Sequence, residues 1–243
     1  MDAVRVSILG VMIDMVTMQE AVARMEEFIA ERRPRLVATA NAEMVMAARQ
    51  DAELKQILAS AALVVPDGAG VVWAARRQGH PRQERVAGCD LAQALLAQAA
   101  VKGYKVFFFG GSPGIAEAAG RAARASFPGL NIVGIRNGFF APEDDGAIVE
   151  TIRSARPDIL LAALGVPKPE KWLFAHGDVL DVPLLMGVGG SFDVMAVIVR
   201  RAPLWMQQAG LEWLYRLARQ PQRFVRMLAL PRFAIAVLRG KKH

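Results

Sequence analysis

Val64-Val65-Pro66-Asp67-Gly68-Ala69-Gly70 passes from strand chemistry to helix chemistry within seven residues. The apolar run 61–65 reads as a buried strand that Pro66 ends, leaving Asp67 at its carboxyl end. Gly68 and Gly70 then open an apolar stretch, 71–75, that reads as a helix. In open α/β sheets the ligand crevice lies at the carboxyl ends of the strands. A carboxylate there, beside glycines that admit a substrate closely, is a candidate catalytic base. Asp also serves as an ordinary cap of a following helix, and from this stretch alone both readings stand.

The same alternation extends in both directions. Residues 4–9 and 12–16 suit a strand hairpin, and Thr17 with Glu20 forms a capping-box pattern. The helix after it places Val22, Met25, Phe28 and Ile29 on one face. A strand at 35–38 carries Thr39-Ala40-Asn41 at its carboxyl end, and helices follow to Gln50 and over 52–60. The polar, basic segment 76–86 holds Gly79 and Pro81 and reads as a loop of the kind that closes over substrates. A helix over 90–101 has Asp90 as its expected cap.

Strands are expected at 105–109, 131–135, 158–164 and 183–186, with helices to Ala125, over 142–155 and to Ala175 between them. The turn Gly110-Gly111-Ser112-Pro113-Gly114 suits a phosphate or sugar at a helix N-terminus, without the spacing of any nucleotide fingerprint. Strands alternating with helices as far as Asp193 imply an α/β fold: a Rossmann-like, mostly parallel sheet flanked by helices.

Residues 200–243 differ in kind. They hold ten Lys/Arg and one acid, Glu212, for a charge of +9, whereas residues 1–199 sum to −2. Helices are expected at 204–217 and 223–238, broken near Gln220-Pro221, with Phe224, Met227, Phe233 and Ile235 among arginines. Arginine mixed with Phe and Leu is the pattern of membrane-surface helices, and a docked, solvated helix pair is the plainer reading. The chain therefore divides into a 1–199 catalytic core and a 200–243 basic amphipathic appendage, with an anionic membrane surface as the expected partner and no nucleic acid.

Several chemistries are missing. The three histidines have no metal-ligand spacing, and no D-x-D pair is present to hold a nucleotide diphosphate through a divalent ion. Cys89 is the single cysteine and cannot form an intrachain disulfide, which fits a reducing compartment. No apolar run approaches the roughly 18 residues that span a bilayer, and residues 1–20 show no secretory signal pattern. A carboxylate, glycine turns and many arginines suit group transfer from a phosphate-bearing donor without a metal or other cofactor.

The motifs, in order, are Thr39-Ala40-Asn41, Pro66-Asp67-Gly68-Ala69-Gly70, Glu84-Arg85-Val86-Ala87-Gly88-Cys89-Asp90 and Leu164-Gly165-Val166-Pro167-Lys168. Gly187-Val188-Gly189-Gly190-Ser191-Phe192-Asp193, Arg201-Ala202-Pro203 and Leu211-Glu212-Trp213-Leu214-Tyr215-Arg216-Leu217 follow. Together they resemble the WecG/TagA/CpsF glycosyltransferases, glycosyltransferase family 26, over nearly the whole chain. The resemblance implies a peripheral enzyme on the cytoplasmic membrane face. Such an enzyme moves a sugar from a UDP-sugar to a sugar on a polyprenyl-diphosphate carrier, with inversion and without a metal.

The resemblance casts Asp67 as the base, with Thr39 and Asn41 in its pocket and Arg85 on the leaving diphosphate. Gly68, Gly110, Gly111, Gly187, Gly189, Gly190 and Asp193 would hold the nucleotide sugar. Phe139 matches an aromatic near the base, and Arg216, Arg223 and Arg226 match arginines that complete the site. The family's usual Pro-Lys-Gln-Glu is here Pro167-Lys168-Pro169-Glu170. Pro169 lacks the glutamine amide thought to contact the donor sugar, which suggests a hexose such as glucose. The alternatives are transfer of N-acetylmannosamine or its uronic acid, and a non-catalytic lipid- or nucleotide-binding module. A homo-oligomer is compatible with all three.

Overall fold

The computed structural model describes residues 4–196, 198, 201–219, 221 and 224–240. Strands β1 (Arg5–Ile8) and β2 (Val11–Asp14) pair antiparallel as the expected hairpin. Thr17 caps α1 (Met18–Glu31): its side chain accepts from the Glu20 N–H, and the Glu20 carboxylate accepts from the Thr17 N–H at 2.7 Å. Two of the helix's unpaired ends are thereby satisfied reciprocally. Ala21, Met25 and Ile29 form its buried face.

The chain then alternates. β3 (Arg35–Ala40) leads to α2 (Ala42–Ala48) and α3 (Ala52–Ser60), and β4 (Leu63–Pro66) to α4 (Ala69–Arg77) and α5 (Gly88–Lys102). β5 (Lys105–Gly110) leads to α6 (Ile115–Ser126), and β6 (Asn131–Arg136) through a 3-10 turn at Pro142–Asp144 to α7 (Asp145–Ala155). β7 (Ile159–Ala163) leads to α8 (Lys168–Leu180), and β8 (Leu184–Gly187) to α9 (Ser191–Met195). These strands, β3 to β8, form one six-stranded sheet in the order β4-β3-β8-β7-β5-β6, parallel at every junction.

Strands of a parallel sheet are covered on both faces and read as unbroken apolar runs. Leu-Val-Val-Pro in β4 and Ile-Leu-Leu-Ala-Ala in β7 are buried throughout. Helices α2, α3, α4, α7 and α8 cover one face, with Val45, Leu54, Val71, Ile152 and Leu173 in its core. Helices α1, α5, α6 and α9 cover the other, with Met25, Leu91, Ala119 and Phe192. The strands β3, β8, β7 and β5, adjacent in that order, send the chain to alternate faces. Their carboxyl ends therefore open into a crevice.

β4 lies at the sheet edge, where unpaired backbone groups need cover. Asp14 of the hairpin supplies it. Its buried Oδ2 accepts the Val64 N–H at 2.7 Å, and its Oδ1 accepts from Arg5 Nε at 2.8 Å. The strand that carries Asp67 is thus held from both sides.

Among the described residues, the two helices expected after residue 200 are four: α10 (Leu204–Gln208), α11 (Glu212–Arg219), α12 (Phe224–Met227) and α13 (Ala229–Arg239). Gly210, with φ +72°, turns the chain between the first two. α13 packs on α2 and α4. Its Phe233 is 1% exposed and joins the core cluster that contains Val45 and Val71. The basic appendage therefore contributes a core side chain to the sheet's helical layer. Among the described residues no helix is long and apolar enough to cross a membrane. Phe233→Ala is expected to lower unfolding free energy by about 3–5 kcal/mol, read by urea titration. A loss under about 1 kcal/mol would show that α13 is not part of the folded core.

Candidate active site

Parallel pairing of β3 and β4 sets Thr39 against Val65 and Ala40 against Pro66. The ladder continues one residue further, with the Asp67 N–H donating to the Ala40 carbonyl at 2.9 Å. Asp67 and Asn41 therefore leave the sheet side by side. Asn41 is the N-cap of α2, its side chain accepting the Met44 N–H at 2.9 Å. The N-cap of α4 is Gly68, not Asp67, and no side chain of that cap bonds the helix.

A polar cavity of about 340 Å³ lies over the strand ends. Thr39, Asn41 and Asp67 enter it at the ends of β3 and β4, Gly187 from the end of β8, Gly189 and Gly190 from the turn after it, and Asp193 from α9. Gly111 follows β5, Phe139 follows β6, and Val166 and Glu170 follow β7. Phe139 is 69% exposed, and the Gly138 N–H before it donates to the Gly111 carbonyl at 2.9 Å, so the chain after β6 folds back over the end of β5 to reach the cavity. Gly110 supports this wall from behind and does not line it. With φ +122° and only 2.3 Å between a would-be Cβ and the Ala163 carbonyl oxygen, its position admits no side chain. Pro169 is buried in the first turn of α8 beside Gly187 and lines neither this cavity nor the next. The neighbouring side chain that does line it is Glu170.

A second, more apolar cavity of about 430 Å³ lies between the sheet's helices and the tail. Gly68, Trp73 and Arg85 line it from the core, and Trp213, Leu230 and Phe233 from the tail. Asn41, Glu43, Asp67, Gly88, Cys89 and Arg226 line both cavities. Asp67 thus stands at the seam of a polar and an apolar compartment.

Charged groups join the tail to the core at this seam. Arg85 Nη1 donates to Glu212 Oε2 at 3.1 Å, and Arg201 Nε lies 3.5 Å from Glu212 Oε1. Arg201 also takes both Asp90 oxygens, so Asp90, expected as a helix cap, instead anchors the tail. The N-cap of α5 is Ala87. Arg226 Nε lies 3.7 Å from Glu43 Oε1. Arg216 belongs to α11, but its side chain lies outside the described residues, as does the whole of Arg223.

The loop expected over 76–86 is shorter and anchored. α4 takes in Arg76 and Arg77, and buried Gln83 donates to the Val16 carbonyl at 2.8 Å. Sequence reasoning did not single out Glu43, Glu170, Arg201 or Glu212 as site residues. Glu212 carried a usable signal, being the one acid in a strongly basic tail. Glu170 stands in the Pro167-Lys168-Pro169-Glu170 motif, next to the proline that departs from the family pattern.

A doubly wound α/β protein with its ligand crevice at the carboxyl ends of the strands is the class this architecture defines. The chain belongs to the glycosyl transferase WecG/TagA/CpsF family, whose model matches residues 6–243. An N-acetylglucosaminyldiphosphoundecaprenol N-acetyl-beta-D-mannosaminyltransferase of Bacillus subtilis (strain 168) is 33% identical over 218 residues, 90% of this chain and 84% of the relative. One of the same name from Staphylococcus aureus (strain MW2) is 31% identical over 240 residues, 98% of this chain and 94% of the relative. These names favour the N-acetylmannosaminyl alternative over the glucose reading.

Burial raises the Glu170 carboxyl above its ordinary value, while its own backbone N–H lowers it. A carboxyl raised by folding stabilises the fold below its unfolded pKa, and that contribution is lost as pH rises through the folded value. Glu170→Gln should therefore melt higher than wild type at about pH 8, with the difference closing toward about pH 4. Thermal melts across pH check this, and a difference that does not change with pH counts against it.

Proposed function

We propose that the protein transfers N-acetylmannosamine from UDP-N-acetylmannosamine to N-acetylglucosamine on a polyprenyl-diphosphate carrier, at the cytoplasmic face of the membrane. The observation that carries this reading is the position of Asp67 at the seam of the two cavities. A nucleotide sugar suits the polar compartment, whose glycine turns expose backbone to phosphates. A lipid-linked acceptor suits the apolar one, walled by Trp73, Trp213 and Phe233.

In the reaction, Asp67 accepts the proton of the acceptor hydroxyl as that oxygen bonds the anomeric carbon. The bond from the anomeric carbon to the diphosphate breaks, and UDP leaves with its electron pair. A β-linked product, as the relatives' names state, formed from an α-linked sugar nucleotide requires inversion. A single base on the acceptor side suffices for that. Arg226, lining both cavities, is placed to offset charge on the departing diphosphate, and a guanidinium does so bidentately. Arg85, expected on the leaving diphosphate, lines the apolar cavity and not the polar one, where Glu212 holds it, and we assign it instead to the carrier's diphosphate.

The tail adds the membrane argument. Leu204, Trp205, Trp213 and Phe224 are exposed on helices of a segment that carries +9. Apolar anchors with basic residues suit an anionic bilayer surface.

Asp67→Asn keeps the shape and removes the base, so kcat should fall about 10²- to 10⁴-fold with UDP affinity little changed. Steady-state kinetics with a short-chain polyprenyl-diphosphate N-acetylglucosamine acceptor measure it, and wild-type turnover in the mutant would end the assignment. Binding to anionic vesicles should weaken steadily as salt is raised, because each basic residue near the surface contributes about 1 kcal/mol that ions screen. Vesicle sedimentation at increasing ionic strength reads this, and salt-independent binding would favour purely apolar insertion.

A further inference from the structure

Glu170 sits at the third position of α8, in the wall of the polar cavity, and is only 2% exposed. Its Oε2 has no hydrogen-bond partner among the described residues. Its Oε1 fills the space a side chain at Gly187 would need, since a Cβ there would come within 2.6 Å of it. Gly187 ends β8, so the carboxyl is pressed against a central strand end of the sheet. A buried acid with an unused oxygen is costly, and a hydrogen-bond donor brought into the cavity recovers that cost.

We propose that Glu170 reads the transferred sugar of the donor, its carboxyl group hydrogen-bonding a hydroxyl of the hexosamine. The inference rests on the polar cavity being the donor site. Four parts of a nucleotide sugar could meet this carboxyl: nucleobase, ribose, diphosphate and transferred sugar. The diphosphate is excluded by like charge and is better matched by the glycine turn after β8. β8 lies two strand places from β4, or about 10 Å at ordinary strand spacing. A sugar whose anomeric carbon meets the acceptor near Asp67 covers that distance. The ribose and the nucleobase, both beyond two phosphates from the anomeric carbon, fall further along the cavity toward Phe139. Sugar hydroxyls are the donors that remain, and a carboxyl accepts from them directionally. Pro169, packed behind the same turn, holds the first turn of α8 against Gly187.

The test is calorimetric titration of the full chain with UDP and with UDP-N-acetylmannosamine, in wild type, Glu170→Gln and Glu170→Met. Wild type should bind both ligands. Both variants should bind UDP as wild type does and lose about ten- to a hundred-fold in affinity for the sugar nucleotide. Equal weakening of both ligands would show a merely structural residue and overturn the inference. So would unchanged affinity for both. Should Glu170→Met fail to fold, the isosteric Glu170→Gln decides by the same ratio. Failure of the unaltered chain to bind UDP would overturn the donor-site reading itself, and the inference with it.

Discussion

The hydrogen bond from the Asp67 N–H to the Ala40 carbonyl, 2.9 Å long, closes the β3–β4 ladder, and the site depends on that register. A slip of β4 by one residue would turn its side chains to the opposite face of the sheet and take Asp67 out of the crevice and away from Thr39. Edge strands are the ones most free to slip, and β4 is an edge. Asp14 counters this by accepting the Val64 N–H from the outer side while Arg5 holds the carboxylate. The N-terminal hairpin, remote from the cavity in sequence, therefore helps to set where the acid stands.

The second constraint is the joint between sheet and tail. Glu212 lies between Arg85 and Arg201, and Arg201 continues to Asp90 on α5. Partly buried charge clusters of this kind add little net stability because desolvation offsets attraction, but they define orientation sharply. Phe233 supplies the apolar contact that the ion pairs do not. The combination closes one side of the apolar cavity and brings Arg226 to the seam. In the proposed reaction this unites the two reactants' compartments only when the tail is docked.

Much of the frame was legible in the chain. The runs expected as strands at 61–65, 105–109 and 158–164 form β4, β5 and β7, buried except for Lys105 because a parallel sheet covers both faces, although β4 starts at Leu63 and includes Pro66, which was expected to end it. The capping box at Thr17 and Glu20 formed because its parts are three residues apart and need nothing else. Asp90 is not the cap because α5 starts two residues earlier, at Gly88, which leaves its carboxylate free to pair with Arg201. Pro169 drew attention as a departure from a motif, yet it is buried behind the cavity wall, and the residue facing inward is its neighbour. A helix turns about 100° per residue, so adjacent positions point in different directions, and only the docked helix decides which one meets the cavity.

The sequence by itself determined the alternation of strand and helix, the acid at the end of β4, the glycine turns and the charge of the tail. Each of these follows from side-chain chemistry and spacing within a few residues. Only the tertiary structure decided that β8 lies between β3 and β7, that Glu170 faces the cavity with an unused oxygen, and that Glu212 holds Arg85. The last of these joins residues 127 positions apart along the chain, and the pairing of β3 with β8 spans still more. They come from the packing of two helical layers on a twisted sheet, for which no short stretch of sequence carries a local signal.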